Sequence, residues 1–175
     1  MDFTPVGKAP LFMLRSNLAA SVTALTAMAA TLLLAAPGCA VFGPPKEPPK
    51  SLYERLGGEP GITLVVDDFF SKCVADPALN FTRRGHTNHW DGTTEEVIAF
   101  KKHLVQFIEA HTGGPQKYEG RDMAVVHTGM DISQSEWEVA VADLKAAMTD
   151  NKVGDKEQNE LITIIAGTHD SIVGK

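Results

Sequence analysis

A hydroxyl followed three residues later by a carboxylate recurs in this chain, at Ser51-Leu52-Tyr53-Glu54, Thr93-Thr94-Glu95-Glu96 and Ser133-Gln134-Ser135-Glu136. The hydroxyl accepts from the amide three residues on, and the carboxylate reaches back to the amide of the hydroxyl residue. Two donors that a helix start leaves orphaned are satisfied at once. Stop signals recur as well, at Gly57-Gly58, Asp76-Pro77 and Gly113-Gly114-Pro115. Glycine supplies the left-handed turn that ends a helix, and proline cannot continue one. After residue 50 no window shows the sustained two-residue alternation of a half-buried strand. This part of the chain is expected to be all-α.

The signals divide it as follows. A short element opens at Ser51 and ends at Gly57-Gly58, and a helix over residues 62–75 stops at Asp76-Pro77. A polar loop over 85–92 carries His86, Asn88, His89 and Trp90. Thr93 opens a long helix reaching about Thr112, with an apolar stripe of Val97, Phe100, Leu104, Phe107 and His111 and with His103 at its edge. Residues 122–130 make one or two turns, Ser133 opens a helix to about Asp150, and the last helix is expected over 155–173.

The first fifty residues are different. Residues 18–36 are nineteen uncharged residues rich in Ala, Leu and Thr, preceded by Lys8 and Arg15 and followed by Pro37-Gly38-Cys39. This is the pattern of an export signal. Leu34-Ala35-Ala36-Pro37-Gly38-Cys39 resembles a bacterial lipoprotein signal, in which the cysteine is acylated and becomes the mature N-terminus, although Ala36 stands where Leu is usual. Ordinary cleavage after Gly38 and an uncleaved membrane anchor are the other two readings. The expected divisions are an export signal over 1–38, a Pro-rich spacer over 39–50 and one domain over 51–175. The spacer, with Pro44, Pro45, Pro48 and Pro49, favours an extended geometry that would hold the domain roughly 30 Å from a membrane. The expected location is the periplasm or the outer face of a membrane, by a lipid on Cys39 or by the N-terminal helix.

Residues 51–175 hold 12 Lys/Arg, 20 Asp/Glu and all six histidines. An acidic balance without a basic stripe argues against nucleic-acid binding. Two cysteines, Cys39 and Cys73, make neither a disulfide scaffold nor a thiolate zinc site. No nucleophile elbow, phosphate loop or dinucleotide fingerprint is present, so no catalytic residue is assigned.

Histidine is the remaining chemistry. His127 shares a helical face with Met123, Val126 and Met130. It is either a core residue satisfied by a carbonyl or a buried neutral imidazole of the kind an iron porphyrin takes as axial ligand. His103 is either a boundary residue or a functional one. His111 lies in a last helical turn, where a cation complements the helix dipole. His86-Thr87-Asn88-His89 is a weak candidate metal pair, and Cys73, among Phe69, Phe70 and Val74, is read as a small core hydrophobe.

Taken in order, Ser51-Leu52-Tyr53-Glu54-Arg55-Leu56-Gly57-Gly58, Val65-Val66-Asp67-Asp68-Phe69-Phe70, Ala75-Asp76-Pro77, Gly113-Gly114-Pro115 with Tyr118, and Gly120-Arg121-Asp122-Met123 through His127 resemble a group I truncated haemoglobin over residues 51–173. The resemblance implies a two-over-two helical sandwich around haem b and reversible binding of a diatomic gas, O₂, NO or CO. It implies that His127 is the proximal iron ligand, that Phe81 packs on the haem, and that Tyr118 and Met123 line it or reach its propionates.

The departures from the family pattern lie on the gas side. Phe70 stands where the family usually has a Tyr that donates to bound oxygen, and Leu104 where a Gln is common. The expected gas side is thus Phe70, Phe100 and Leu104. His103 stands where some members carry a sixth iron ligand, so it is expected either to bind ferric iron or to supply the missing hydrogen bond. Oxidation of NO or peroxidase-like turnover with a separate reductase is the competing expectation, followed by haem-based sensing through a partner and a haem-free interaction domain.

Overall fold

The computed structural model describes residues 47–175. The export run, Cys39 and most of the Pro-rich spacer lie outside the described residues. Helices α1 (Leu52–Arg55), α2 (Gly58–Ala75), α3 (Thr94–Thr112), α4 (Met123–His127), α5 (Gln134–Asp150) and α6 (Asp155–Ala166) are followed by a 3-10 turn, His169–Ser171. Each expected capping box forms, with both of its hydrogen bonds, at the starts of α1, α3 and α5.

Two boundaries differ from expectation. Helix α2 starts at Gly58 rather than 62, because Gly57, at φ 89°, reverses the chain directly from α1 into α2. Pro60 then falls in the first turn, where its missing amide costs no helical bond. Helix α6 stops at Ala166 rather than running to 173. The Gly167 amide donates to the Ile164 carbonyl (3.1 Å) and the Thr168 hydroxyl to the Ile165 carbonyl (2.7 Å), tightening the end into 3-10 geometry. The chain then turns back, so that Val173 makes a parallel bridge with Ile132 and the Gly174 amide donates to the Ile132 carbonyl at 2.9 Å.

Helix α2 packs on both α3 and α5, α6 packs on α5, and α1 lies against α2, α3 and α6. The fully buried apolar core is drawn from one end of this sandwich: Leu52 and Leu56 of α1, Ile62 and Val66 of α2, Ile108 of α3, Met148 of α5 and Leu161 of α6. Each such side chain contributes roughly 1.5–3 kcal/mol by leaving water. Across that end Arg55 bridges Glu157 (2.5 Å) and Glu160, joining α1 to α6.

The turn after α3 needs its glycines. Gly113 has φ 87°, and a Cβ on Gly114 would lie 2.8 Å from the Tyr53 ring and 2.9 Å from the Glu109 side chain. Beneath this turn Glu109 is fully buried, with neither carboxylate oxygen hydrogen-bonded. Burial, with a smaller contribution from Glu59, pushes its pKa above the ordinary 4.5. A raised carboxyl pKa means that the folded state binds the proton more tightly, so stability falls as pH rises above 4.5. Glu109→Gln is expected to remove that component, and its stability advantage over the natural chain in urea unfolding should grow from pH 4.5 toward neutrality.

Candidate haem site

Helix α4 is only five residues long and depends on its cap. Asp122 accepts from the amides of Ala124 (3.0 Å) and Val125 (3.2 Å), which fixes the turn ending in His127. The Nδ1 atom of His127 lies 2.7 Å from the Met123 carbonyl oxygen. A carbonyl only accepts, so Nδ1 carries the proton and Nε2 keeps its lone pair. Burial lowers the pKa of the ring, partly offset by the Met123 carbonyl, which favours the neutral imidazole. Of the two roles open to His127, the carbonyl satisfies one nitrogen and leaves the other in the form a metal binds.

Aromatic rings gather at the end of the sandwich away from the core. Phe70 of α2, Phe100 of α3, and Phe81 and Trp90 of the connecting loop all touch one another, with centroids 5.5–6.4 Å apart. Trp90 was not among the expected site residues. Its indole nitrogen donates to the Phe81 carbonyl at 2.8 Å, and its ring stacks at 26° on Phe100. The sequence signal available was a lone Trp between polar residues, whose large apolar surface needs a partner. Over the Phe70 ring sits the Lys101 ammonium, 4.7 Å from the centroid and 2.8 Å from Asp67. None of the four rings is fully buried, and neither are Leu104, Met123 or Val126.

Of the remaining expected residues, Leu104 packs against the buried core, Met123 places its carbonyl on the His127 ring, and His103 and Tyr118 form a separate pair. His103 meets the Tyr118 ring edge-on at 6.3 Å, and Tyr118 meets Phe107 at 5.7 Å while its hydroxyl donates to the Arg121 carbonyl at 2.9 Å. Thus the structure brings Phe70, Phe81 and Phe100 together, and pairs His103 with Tyr118 instead. His111 stacks on Phe107 at 4.1 Å and its Nδ1 donates to the Phe107 carbonyl, in the last turn of α3. His86 and His89 are not joined as metal ligands: His86 contacts Arg83 and Asp131, His89 is exposed, and the described residues hold no cluster of three metal-ligating side chains. Cys73 is fully buried, and burial with the Asp143 carboxylate pushes its thiol pKa up.

Beside α4 lies a buried ion pair. Arg83 is 5% exposed and its guanidinium donates to Glu136, to the Met130 carbonyl (2.8 Å) and to the Asp131 carbonyl (3.2 Å). Both Arg83 (φ 56°) and Asp131 (φ 50°) are left-handed without being glycine, a strain of roughly 1–2 kcal/mol each that these bonds offset.

These residues fit an iron porphyrin. One imidazole presents an unprotonated Nε2 on a short helix that packs chiefly on the 3-10 turn, while four aromatic rings supply a half-buried apolar surface for a flat group to cover. Comparison with known proteins agrees. Residues 51–173 match the bacterial-like globins, and the chain belongs to that family. It is 27% identical over 128 residues to the group 1 truncated haemoglobin of Tetrahymena pyriformis, covering 73% of this chain and 98% of that one. It is 30% identical over 121 residues to the group 1 truncated haemoglobin GlbN of Mycolicibacterium paratuberculosis, covering 69% and 82%. The crystal structure of the Tetrahymena pyriformis protein in its Fe(III) form superposes with a TM-score of 0.62 at 26% identity, over 72% of this chain and all of that one.

The ion pair has a pH signature. Burial alone would raise the pKa of Glu136, but the Ser133 amide and hydroxyl and the Arg83 guanidinium outweigh it and hold the carboxyl down at about 2, against an ordinary 4.5. A depressed carboxyl contributes stability above pH 4.5 that is lost as pH falls through about 2, here on the order of 3 kcal/mol. Urea midpoints measured from pH 6 down to 2 are expected to fall, and Glu136→Gln should start lower and lose this pair's share of that slope.

Proposed function

We propose that this globin holds haem b with Nε2 of His127 on the iron and with Phe70, Phe81, Phe100 and Leu104 against the face where a gas binds. The chain is a haem-binding globin that binds a diatomic gas. The observation that carries the site is the hydrogen bond from His127 Nδ1 to the Met123 carbonyl, because it commits the imidazole to the ligating tautomer. When bound, the haem supplies a ferrous iron to which O₂, NO or CO coordinates. Met123 holds the His127 ring in orientation, and the aromatic cluster excludes water from the gas side. The absence of a Cys-x-x-Cys-His attachment sequence and the burial of Cys73 support our assignment of the b form.

Phe70 and Leu104 offer no hydrogen-bond donor to a bound gas. His103, one residue before Leu104 on α3, is the nitrogen donor we assign to that side, either as a ligand to ferric iron or as a donor to the gas. Turnover as an NO-oxidising or peroxidase-like enzyme would draw its electrons from a separate reductase, because the sequence carries no flavin or nicotinamide motif. Residues 1–38 export the chain and Cys39 is its lipid anchor, a reading that radiolabelled palmitate incorporation with and without Cys39→Ala tests.

Three variants test the site. His127→Gly is expected to change the ferrous spectrum from that of a His-ligated haem, with imidazole in solution restoring it; an unchanged spectrum excludes His127 as ligand. Phe70→Tyr is expected to slow O₂ dissociation in stopped flow by about 10- to 150-fold, the worth of one charge-assisted hydrogen bond. If His103 is the sixth ligand, His103→Ala converts a low-spin ferric spectrum to a high-spin one.

A further inference from the structure

The loop between α2 and α3 carries Phe81 and Trp90 into the aromatic cluster, and two of its polar residues, Arg83 and Asn88, bond to one short stretch of backbone. Asn88 donates through Nδ2 to the carbonyls of Val126 (2.9 Å) and Thr128 (3.2 Å), and through its amide to the carbonyl of Gly129 (3.0 Å). Arg83 donates to the next two carbonyls, Met130 through Nε and Asp131 through Nη2. The remaining carbonyl in the run, that of His127, accepts from the Met130 amide at 3.0 Å. Two side chains and one amide from the loop therefore satisfy every other carbonyl from 126 to 131, the segment that contains His127 and leaves α4.

The grip is tight on each side. A Cβ on Gly129 would lie 3.4–3.5 Å from Thr87 and Asn88. Arg83 is anchored from behind by Glu136 at the start of α5, and the Asp131 amide donates to the Lys175 carbonyl at 2.8 Å. A five-residue helix has too few internal bonds to hold its last residue in place by itself. The loop supplies what it lacks.

We propose that the loop over residues 80–92 sets the position of His127, with Arg83 and Asn88 as positioning residues for the proximal ligand. This rests on His127 being that ligand. Arg83 suits the role because its planar fork reaches two carbonyls and a carboxylate at once, which a lysine ammonium cannot.

The test uses the full chain with Arg83→Met, Arg83→Lys and Asn88→Ala, after circular dichroism has shown native helix content. In the haem-loaded ferrous proteins, resonance Raman reads the iron–histidine stretching band. In the haem-free proteins, hydrogen exchange reads the amides of Thr128, Met130 and Asp131. The expected result is a shifted or broadened band for Asn88→Ala and for both Arg83 variants, with those amides exchanging at least about tenfold faster. Arg83→Lys keeps the charge facing Glu136 but should not restore the band. A band and exchange rates unchanged in folded variants overturn the proposal, and if Arg83→Met does not fold, Asn88→Ala decides. A natural chain that forms no Soret band with added haem defeats the haem reading separately, while exchange in the haem-free chain still decides whether the loop holds the segment.

Discussion

Everything in this molecule follows from an uneven division of apolar surface. The helices close a dry core at one end of the sandwich, where α1 and α6 meet the start of α2 and the ends of α3 and α5. At the other end Phe70, Phe81, Trp90 and Phe100 pack on one another, yet none is fully buried. Rings that stay partly exposed leave part of their hydrophobic stabilisation unrealised. On the proposed site a flat apolar cofactor would complete that burial, which would make haem a structural component as well as a reactive one. A domain of this size can reach globin function because the cofactor shares the work of forming the core.

That economy leaves the proximal side thin. A longer helix would hold its histidine by several turns of backbone bonds, whereas α4 has one. The shortage is met by capping below, from Asp122, and by loop contacts above, from Arg83 and Asn88. Burying Arg83 is costly unless it is fully paired, and pairing it requires two residues in left-handed backbone. The same loop carries Trp90 into the aromatic cluster. One irregular segment is thus bonded to the backbone around His127 and packed into the aromatic cluster.

The regular part of this architecture was legible in the sequence because its signals are local. Thr93 with Glu96 and Ser133 with Glu136 predicted helix starts that the structure reproduces. The start of α2 escapes such signals because a glycine N-cap offers no side chain, and the end of α6 because no proline follows Gly167 and the apolar pair Ile172-Val173 lies beyond it. His127 could be singled out from the face it shares with Met123 and Val126, although spacing alone left two roles open and the resemblance was needed to favour one. The loop resisted reading for a different reason. His86, Asn88 and Arg83 find their partners some 38 to 53 residues away in the chain, and no periodicity encodes a contact of that kind. Trp90 was seen as part of a polar loop, and only tertiary packing shows that it belongs with Phe81 and Phe100.

On the proposed site the residues facing the gas would set what this globin discriminates. Iron-bound O₂ carries partial negative charge, while bound CO is nearly apolar, so a hydrogen-bond donor favours O₂ and an apolar wall does not. A wall that includes Phe70 and Leu104, as proposed, would carry no donor and would itself favour no polar ligand. What remains nearby is cationic: the Lys101 ammonium over the Phe70 ring, held by Asp67. Its attraction is spent on the carboxylate and on the ring face, and it lies partly in solvent, where screening weakens its reach. Any preference for O₂ must therefore come from a side chain that enters from the edge of this surface. His103, lying against Tyr118 one residue before Leu104 on α3, is the side chain we propose for that place. If its ring turns toward the gas, the protein retains O₂; if it binds the iron, gas must displace it first, and affinity for every ligand falls by the fraction of time that it is bound.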